Sequence, residues 1–417
     1  MRPFLKKIAV RNSFKTLLCL ILISAAAQSQ TIDTVSIGPS YSNQVYYSLE
    51  NGIQSSTVKN DWDIAFETGT SMGISILINA ATGTELFVYP GDTTDWSSLD
   101  TTGMRANWTR RYNSDTSWSF GAFAQDQSGF FVGWGTYNMI THVITGDKVF
   151  VIKLSNGVYQ KIWIKSLTGG VYTFRHATLN NSMDMIHSVK KADYSTRNFA
   201  YFSLQNHIAQ DKEPPTTDWD LFFGQYTAFI PSAYLVTGIL QNNGVRAEKA
   251  YPVNDPTTYT DHSAFPFQKE INTIGYDWKT FNMSTMDYEI ADSTVYFVHT
   301  ATGDIWKMVF LDFEGSSTGN VIFTKEHLRF AGIDDAKQLA FQFYPNPASD
   351  VLNIVLPSEE KFQMDIIDLS GKLVYQKVIS SPSPLISVHL PVLQDGLYVI
   401  RLSNPHGSAS RRLMIRQ

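Results

Sequence analysis

One stretch of this chain occurs twice, and that repeat constrains the fold more than any other feature. Residues 46–66 read YYSLENGIQSSTVKNDWDIAF and residues 201–223 read YFSLQNHIAQDKEPPTTDWDLFF. Tyr46-Tyr47-Ser48-Leu49 returns as Tyr201-Phe202-Ser203-Leu204, 155 positions later, and Asp61-Trp62-Asp63-Ile64 returns as Asp218-Trp219-Asp220-Leu221, 157 positions later. Solenoid repeats are far shorter, so a period of this length indicates a duplicated domain. If the Asp-Trp-Asp segments are strands, both carboxylates share one face and the indole takes the other.

A second repeat supports the first. The alternating runs 148–154 and 158–167 flank Ser155-Asn156-Gly157, a strong hairpin pattern. Residues 294–299 and 304–313 copy it around Thr302-Gly303, at an offset of 146. Trp134-Gly135-Thr136-Tyr137-Asn138-Met139 precedes the first hairpin, and Trp278-Lys279-Thr280-Phe281-Asn282-Met283 precedes the second, at an offset of 144. After residue 30 the chain consists of short alternating segments separated by Gly, Asn, Asp, Thr and Ser, which predicts an all-β fold. Between strand pair and hairpin lie polar stretches, 91–118 and 252–275. These serve either as binding loops or as surface decoration.

The first 30 residues stand apart. Arg2, Lys6, Lys7, Arg11 and Lys15 precede the apolar run Leu17–Ile23, and Ala25-Ala26-Ala27 offers a cleavage site, the pattern of a secretory signal peptide. Its apolar part is too short for a membrane span. The single cysteine, Cys19, lies inside it, after Leu18 and not after the small residue that lipidation would want. Removing five positive charges and no acids moves the formal charge from −5 to −10. The mature chain then has no thiol for a disulfide, a thiolate metal site, an iron–sulfur cluster or a nucleophile. No basic block suggests nucleic acid.

The repeat resembles the HmuY-like family, haem-binding surface proteins of Bacteroidetes, through the aromatic-Ser-Leu strand, the Trp-Asp strand and the late hairpin. The resemblance implies two tandem HmuY-like β domains, 31–195 and 196–335. It also implies haem or another tetrapyrrole as ligand. An axial position after the loop aromatic falls on Met283, with Met139 as its counterpart and His262 as the available second ligand. Met104 is what the first half offers in the matching loop. Thioether sulfur is a competent axial donor, although the best-known members use two histidines. The same Trp-x-Thr-aromatic-Asn-Met segment also reads as a packing motif with Met as gap filler.

From about residue 341 the pattern changes. Phe343-Tyr344-Pro345-Asn346-Pro347-Ala348-Ser349-Asp350, the turn Asp368-Leu369-Ser370-Gly371-Lys372, the strand GLYVIRL (396–402) and a basic end resemble the type A C-terminal sorting domain of the type IX secretion system. Residues 341–417 are thus expected to form a small immunoglobulin-like β-sandwich of seven to eight strands, handled by that machinery and leading to surface attachment.

Hydrolase, zinc-protease and nucleotide-loop motifs do not occur. The paired carboxylates Asp61/Asp63 and Asp218/Asp220 read as turn-bonding groups, and Asp92, Asp95 and Asp100 lack calcium-loop spacing. The nine histidines form no close H-x-x-x-H pair. The expectation is therefore a secreted, surface-displayed binding protein that is not an enzyme and takes haem as cofactor. The alternative is an adhesive protein that keeps the scaffold without a haem site and contacts glycan or protein through Trp96, Trp108 and Trp118.

Overall fold

The computed structural model describes residues 30–416 apart from 71–72, 329–340, 357–360, 380–384 and 405–406. The expected signal peptide, Cys19 included, lies outside the described residues. Two compact units divide near residue 330, and the described chain is built almost entirely of antiparallel strands.

Within the larger unit, two five-stranded arrays have the same order. One runs Met185–Lys190, Val171–Thr178, Tyr159–Thr168, Phe150–Lys153 and Glu85–Val88; the other runs Thr31–Ser36, Asn320–His327, Ile305–Phe313, Val295–His299 and Arg246–Ala250. The predicted hairpins form with matching registers, Phe150 opposite Ile162 and Tyr296 opposite Met308. Both also carry a bulge at the same place, between Ile164 and Ser166 and between Phe310 and Asp312.

Alternation decides what each face meets. Phe150, Ile152, Ile162 and Ile164 point into a core with Trp134, Phe66 and Phe174. Val149 and Val151 point the other way, against Trp96, Leu99 and Met104 of the first polar stretch. In the other array, Tyr296, Val298 and Met308 join Trp278, and Val295 and Phe297 meet Val253 and the half-buried Tyr259 and Phe267 of the second polar stretch. These stretches are therefore covers that keep the outer sheet face dry. The tryptophans expected to be exposed are not: Trp96 is buried, and Trp108 and Trp118 are half-buried. Trp96 donates to Asp184 at 3.0 Å, and Trp118 donates to the Gln241 carbonyl at 2.8 Å.

The expected boundary between 195 and 196 does not separate the cores. Strand Asn43–Ser48 pairs with Leu221–Phe229, and strand Phe199–Ser203 pairs with Ile64–Glu67, so each aromatic-Ser-Leu strand lies beside the Asp-Trp-Asp segment of the other repeat. Val35, Val45, Tyr47 and Leu49 consequently belong to the core of Trp278, and Ala200, Phe202 and Leu204 to that of Trp134. Lobe 1 is residues 61–213. Lobe 2 is assembled from residues 30–59 and 216–328. The duplication is real in the sequence, but its structural phase starts at Asp-Trp-Asp, and the amino-terminal segment closes the second copy.

The Asp-Trp-Asp segments lie in the turns that enter their strands. Asp63 accepts from the Leu204 amide at 2.7 Å and from Gln205 Nε2 at 2.9 Å; Asp220 accepts from the Leu49 amide at 2.8 Å. Asn79 and Asn242 donate to the carbonyls of Trp62 and Trp219 at 2.9 and 2.7 Å. Asp63 and Asp220 thus satisfy turn amides, as their sequence context suggested, whereas Asp61 pairs with Lys212 and Asp218 accepts from the Thr217 hydroxyl.

The smaller unit contains seven described strands in sheets of three and four, around a core that includes Phe341, Leu352, Met364, Ile400 and Leu413. Asn346 of the opening motif accepts from the Met414 amide at 2.8 Å and donates to the Arg412 carbonyl at 3.2 Å, clasping the last strand. Asp368 accepts the Ser370 and Lys372 amides and so makes the expected turn. Asp365, buried, is neutralised by Arg401 at 2.6 Å.

Candidate functional site

The lobes meet along a cleft that both aromatic-Ser-Leu strands line. Trp62 packs edge-on against Tyr201 at 4.9 Å, and Trp219 packs edge-on against Tyr46 at 5.0 Å. The two phenols bond each other at 2.7 Å, placing the contact on the approximate twofold axis that the matched pairings define. Gln44 links Tyr46 to the Trp62 indole at 3.2 and 3.0 Å. Trp118, Phe199, Phe222 and Tyr226 extend the apolar wall, while Lys59, Asn113 and Gln225 supply polar atoms.

One buried carboxyl, Glu213, stands in this wall. It accepts from the Asn198 and Phe199 amides at 3.0 and 3.1 Å. Burial nevertheless outweighs these donors and pushes its pKa up to about 8. The recess is lined mainly by apolar and aromatic side chains, which suits a ring-bearing molecule. Sequence reasoning missed this cleft because its walls come from repeats 155 residues apart, joined only by the strand exchange. The paired aromatics of the repeat were the available sign.

The residues expected to hold haem do not come together. Met283 and Met139 stand at the tips of the hairpins Lys279–Asn282/Asp287–Ile290 and Gly135–Asn138/Val143–Gly146, 75% and 63% exposed. Neither is the core gap filler of the packing reading. The Met283 hairpin rests through Tyr288 and Ile290 on the core of Trp278. His262 instead packs on Phe267 and Phe297, with ring centroids 6.2 and 6.0 Å away, on the outer face of the same sheet. A sheet therefore separates the proposed axial donors. Lobe 1 repeats the mismatch: the Met139 hairpin adjoins the inner core through Tyr137, whereas Met104 is buried under the outer cover. Axial ligands must face each other across one iron, so this set does not fit the group.

Histidines distant in sequence do meet. His176, His187 and His207 bring one ring nitrogen each within 4.8 Å of the others. No local spacing marks them, because they sit on two strands and a turn of lobe 1.

Residues 40–179 match the family model "HmuY protein", and residues 342–416 match "Secretion system C-terminal sorting domain". The chain carries an HmuY domain and a sorting domain. The sorting domain indicates handling by the type IX secretion system and marks a secreted or surface-attached protein. A single HmuY match is found, and it begins just before strand Asn43–Ser48, which packs in lobe 2. No curated protein matches the chain. A solved structure titled as a polysaccharide lyase aligns over 93% of this chain and 46% of its own, with 9% identity and a TM-score of 0.15, which carries no argument. This chain thus spans less than half of that one. Among the described residues no helix is long and apolar enough to cross a membrane.

Proposed function

We propose that this is a type IX-exported, surface-displayed protein that works by binding and not by catalysis, with its ligand site in the cleft between the lobes. The observation that carries the reading is the aromatic wall contributed by both repeats around the buried Glu213, with amide and lysine donors at its edge. Convergent polar groups in an apolar recess are what a small ligand needs for affinity and orientation. Haem or another tetrapyrrole, which the HmuY match puts first, would need donors other than the Met283–His262 pair. The aromatic side chains that both repeats contribute favour a ring-bearing ligand.

Titration of the mature chain with indole, benzoate, glucose and haem, followed by tryptophan fluorescence and visible absorption, tests this reading. A ring-sized probe should quench fluorescence saturably, and Trp219→Ala should weaken that response at least tenfold. Absence of binding by every ring-sized probe would reject the cleft. A Soret shift with haem that is unchanged in Trp219→Ala would move the tetrapyrrole reading to another place on the chain.

A further inference from the structure

We propose that His176, His187 and His207 form a binding site for one divalent first-row transition-metal ion in lobe 1, separate from the cleft between the lobes. His176 comes from strand Val171–Thr178, His187 from Met185–Lys190, and His207 from the turn before Ile208–Gln210. Their ring centroids are 5.1, 5.2 and 6.0 Å apart. Three ring nitrogens lie mutually within 4.8 Å. A tetrahedral ion with Zn–N bonds of about 2.0–2.1 Å wants its donors about 3.3 Å apart. The rings therefore need to draw in by an ångström or so, within reach of side-chain rotation.

The hydrogen bonds favour ligation over simple packing. His176 is 1% exposed, and its Nδ1 lies 2.8 Å from Gln160 Oε1. With the amide oxygen accepting, Nδ1 carries the proton and Nε2 offers its lone pair, the usual arrangement behind a metal-bound histidine. His176 Nε2, His187 Nε2 and both nitrogens of His207 are buried without a hydrogen-bond partner. Leaving buried polar atoms unpaired is costly, and a cation among them removes that cost. His207 also sits at φ 58°, a backbone conformation unfavourable to a side chain.

Lobe 2 supplies an internal control. Matching registers place Lys325 where lobe 1 has His176, opposite Met308 and Ile162 respectively, and Asp33 where it has His187, opposite Phe323 and Phe174. Gly52, at φ 77°, stands for His207. There the polar groups satisfy one another: Lys325 pairs with Asp33 at 3.2 Å, and Tyr47 donates to Asp33 at 2.6 Å. The scaffold therefore does not require histidine at these positions. With no thiolate in lobe 1, an imidazole set suits Zn2+ or Cu2+. Three protein donors also leave a coordination position for water or another ligand.

The test uses the purified mature chain after chelator treatment and dialysis, with Co2+ as the visible probe and Zn2+ as competitor. One equivalent of Co2+ should give ligand-field absorption that Zn2+ abolishes. His207→Gly, which installs the residue lobe 2 uses, should fold with an unchanged near-ultraviolet spectrum and bind Co2+ at least 100-fold more weakly. Gln160→Leu should weaken binding by about 10–100-fold, whereas His262→Ala should leave it unchanged. Failure of the wild-type chain to bind Co2+ or Zn2+ would overturn the proposal, as would an affinity indifferent to both His207→Gly and His176→Ala.

Discussion

The two lobes hold their backbones in the same way and spend three equivalent positions differently. In both, a carboxylate after tryptophan accepts the amide of the leucine ending the aromatic-Ser-Leu strand, and an asparagine donates to the tryptophan carbonyl. In both, a tryptophan before a short hairpin is buried in the main core, Trp134 in one and Trp278 in the other. At His176/Lys325, His187/Asp33 and His207/Gly52, however, lobe 2 closes an ion pair and lobe 1 leaves ring nitrogens unpaired. The clasp that fixes the frame is retained, and the surface between two strands and a turn is free to diverge. Duplication has left one copy self-satisfied and the other open to a ligand.

The strand exchange makes the lobes unequal in connectivity, and here the largest effect is expected. Lobe 1 is continuous, whereas lobe 2 draws Val35, Val45, Tyr47 and Leu49 from the amino-terminal segment. Deleting residues 30–58 should unfold lobe 2 and leave lobe 1 protected, because several large apolar side chains leave one core and none leaves the other. Limited proteolysis with mass spectrometry reads this directly: fragments covering 61–213 should persist while 221–328 is digested. Equal loss of both halves would show that the lobes fold as one cooperative block.

The next effect is a change in stoichiometry. Carrying the lobe 1 residues into lobe 2 by Asp33→His, Lys325→His and Gly52→His should raise Co2+ binding from one equivalent to two. The same strands and the same bulge position the three sites in both copies. A folded variant that still binds one equivalent would mean that lobe 2 cannot bring the rings together, and that the frames differ more than their registers indicate.

A smaller difference is expected at the clasp itself. Asp63 accepts from the Leu204 amide, Gln205 Nε2 and the Gln205 amide at 2.7, 2.9 and 3.3 Å, while Asp220 is bonded by the Leu49 amide at 2.8 Å. Removing a buried acceptor strands each of its donors. Asp63→Ala should therefore cost about 3 kcal/mol and Asp220→Ala about 1–2 kcal/mol in urea unfolding. The reverse order would assign the clasp's strength to the asparagines.

Much of this frame was legible in the sequence because it is local. The alternation of residues 148–167 and 294–313 fixed both hairpins, and the Asp-Leu-Ser-Gly-Lys turn formed as its residue types require. Partner choice was not legible. Tyr46 pairs with Phe222, far along the chain, and no residue within either repeat distinguishes that arrangement from pairing inside one repeat. The polar stretches misled for a related reason: Trp96 and Met104 look like loop residues until the outer sheet face they cover is known. The three histidines were invisible because their nearness comes from strand register and from a turn supplied after the strand crosses back. Met283 was named from a resemblance that its place at an exposed hairpin tip does not sustain.

The smallest effect is also the one that separates strain from function. His207 occupies φ 58°, where glycine pays no steric penalty, and its lobe 2 counterpart is Gly52 at φ 77°. Replacing His207 by Gly relieves strain of about 1 kcal/mol but loosens the unfolded chain by a comparable amount. The metal-free chain should therefore change by about 1 kcal/mol or less, with a small gain where the unpaired imidazole nitrogens are also removed. Gly52→His should likewise change stability by about 1 kcal/mol or less, because the strain it adds is opposed by a stiffer unfolded chain. Zn2+ should reverse the sign at His207. An ion bound only by the folded wild type stabilises it by about 2.7 kcal/mol at 100 times its dissociation constant, so the wild-type chain should then melt above His207→Gly. Thermal unfolding of both chains, with and without Zn2+, provides the comparison. If the two curves keep their metal-free order at saturating Zn2+, His207 is a strained turn residue and nothing more.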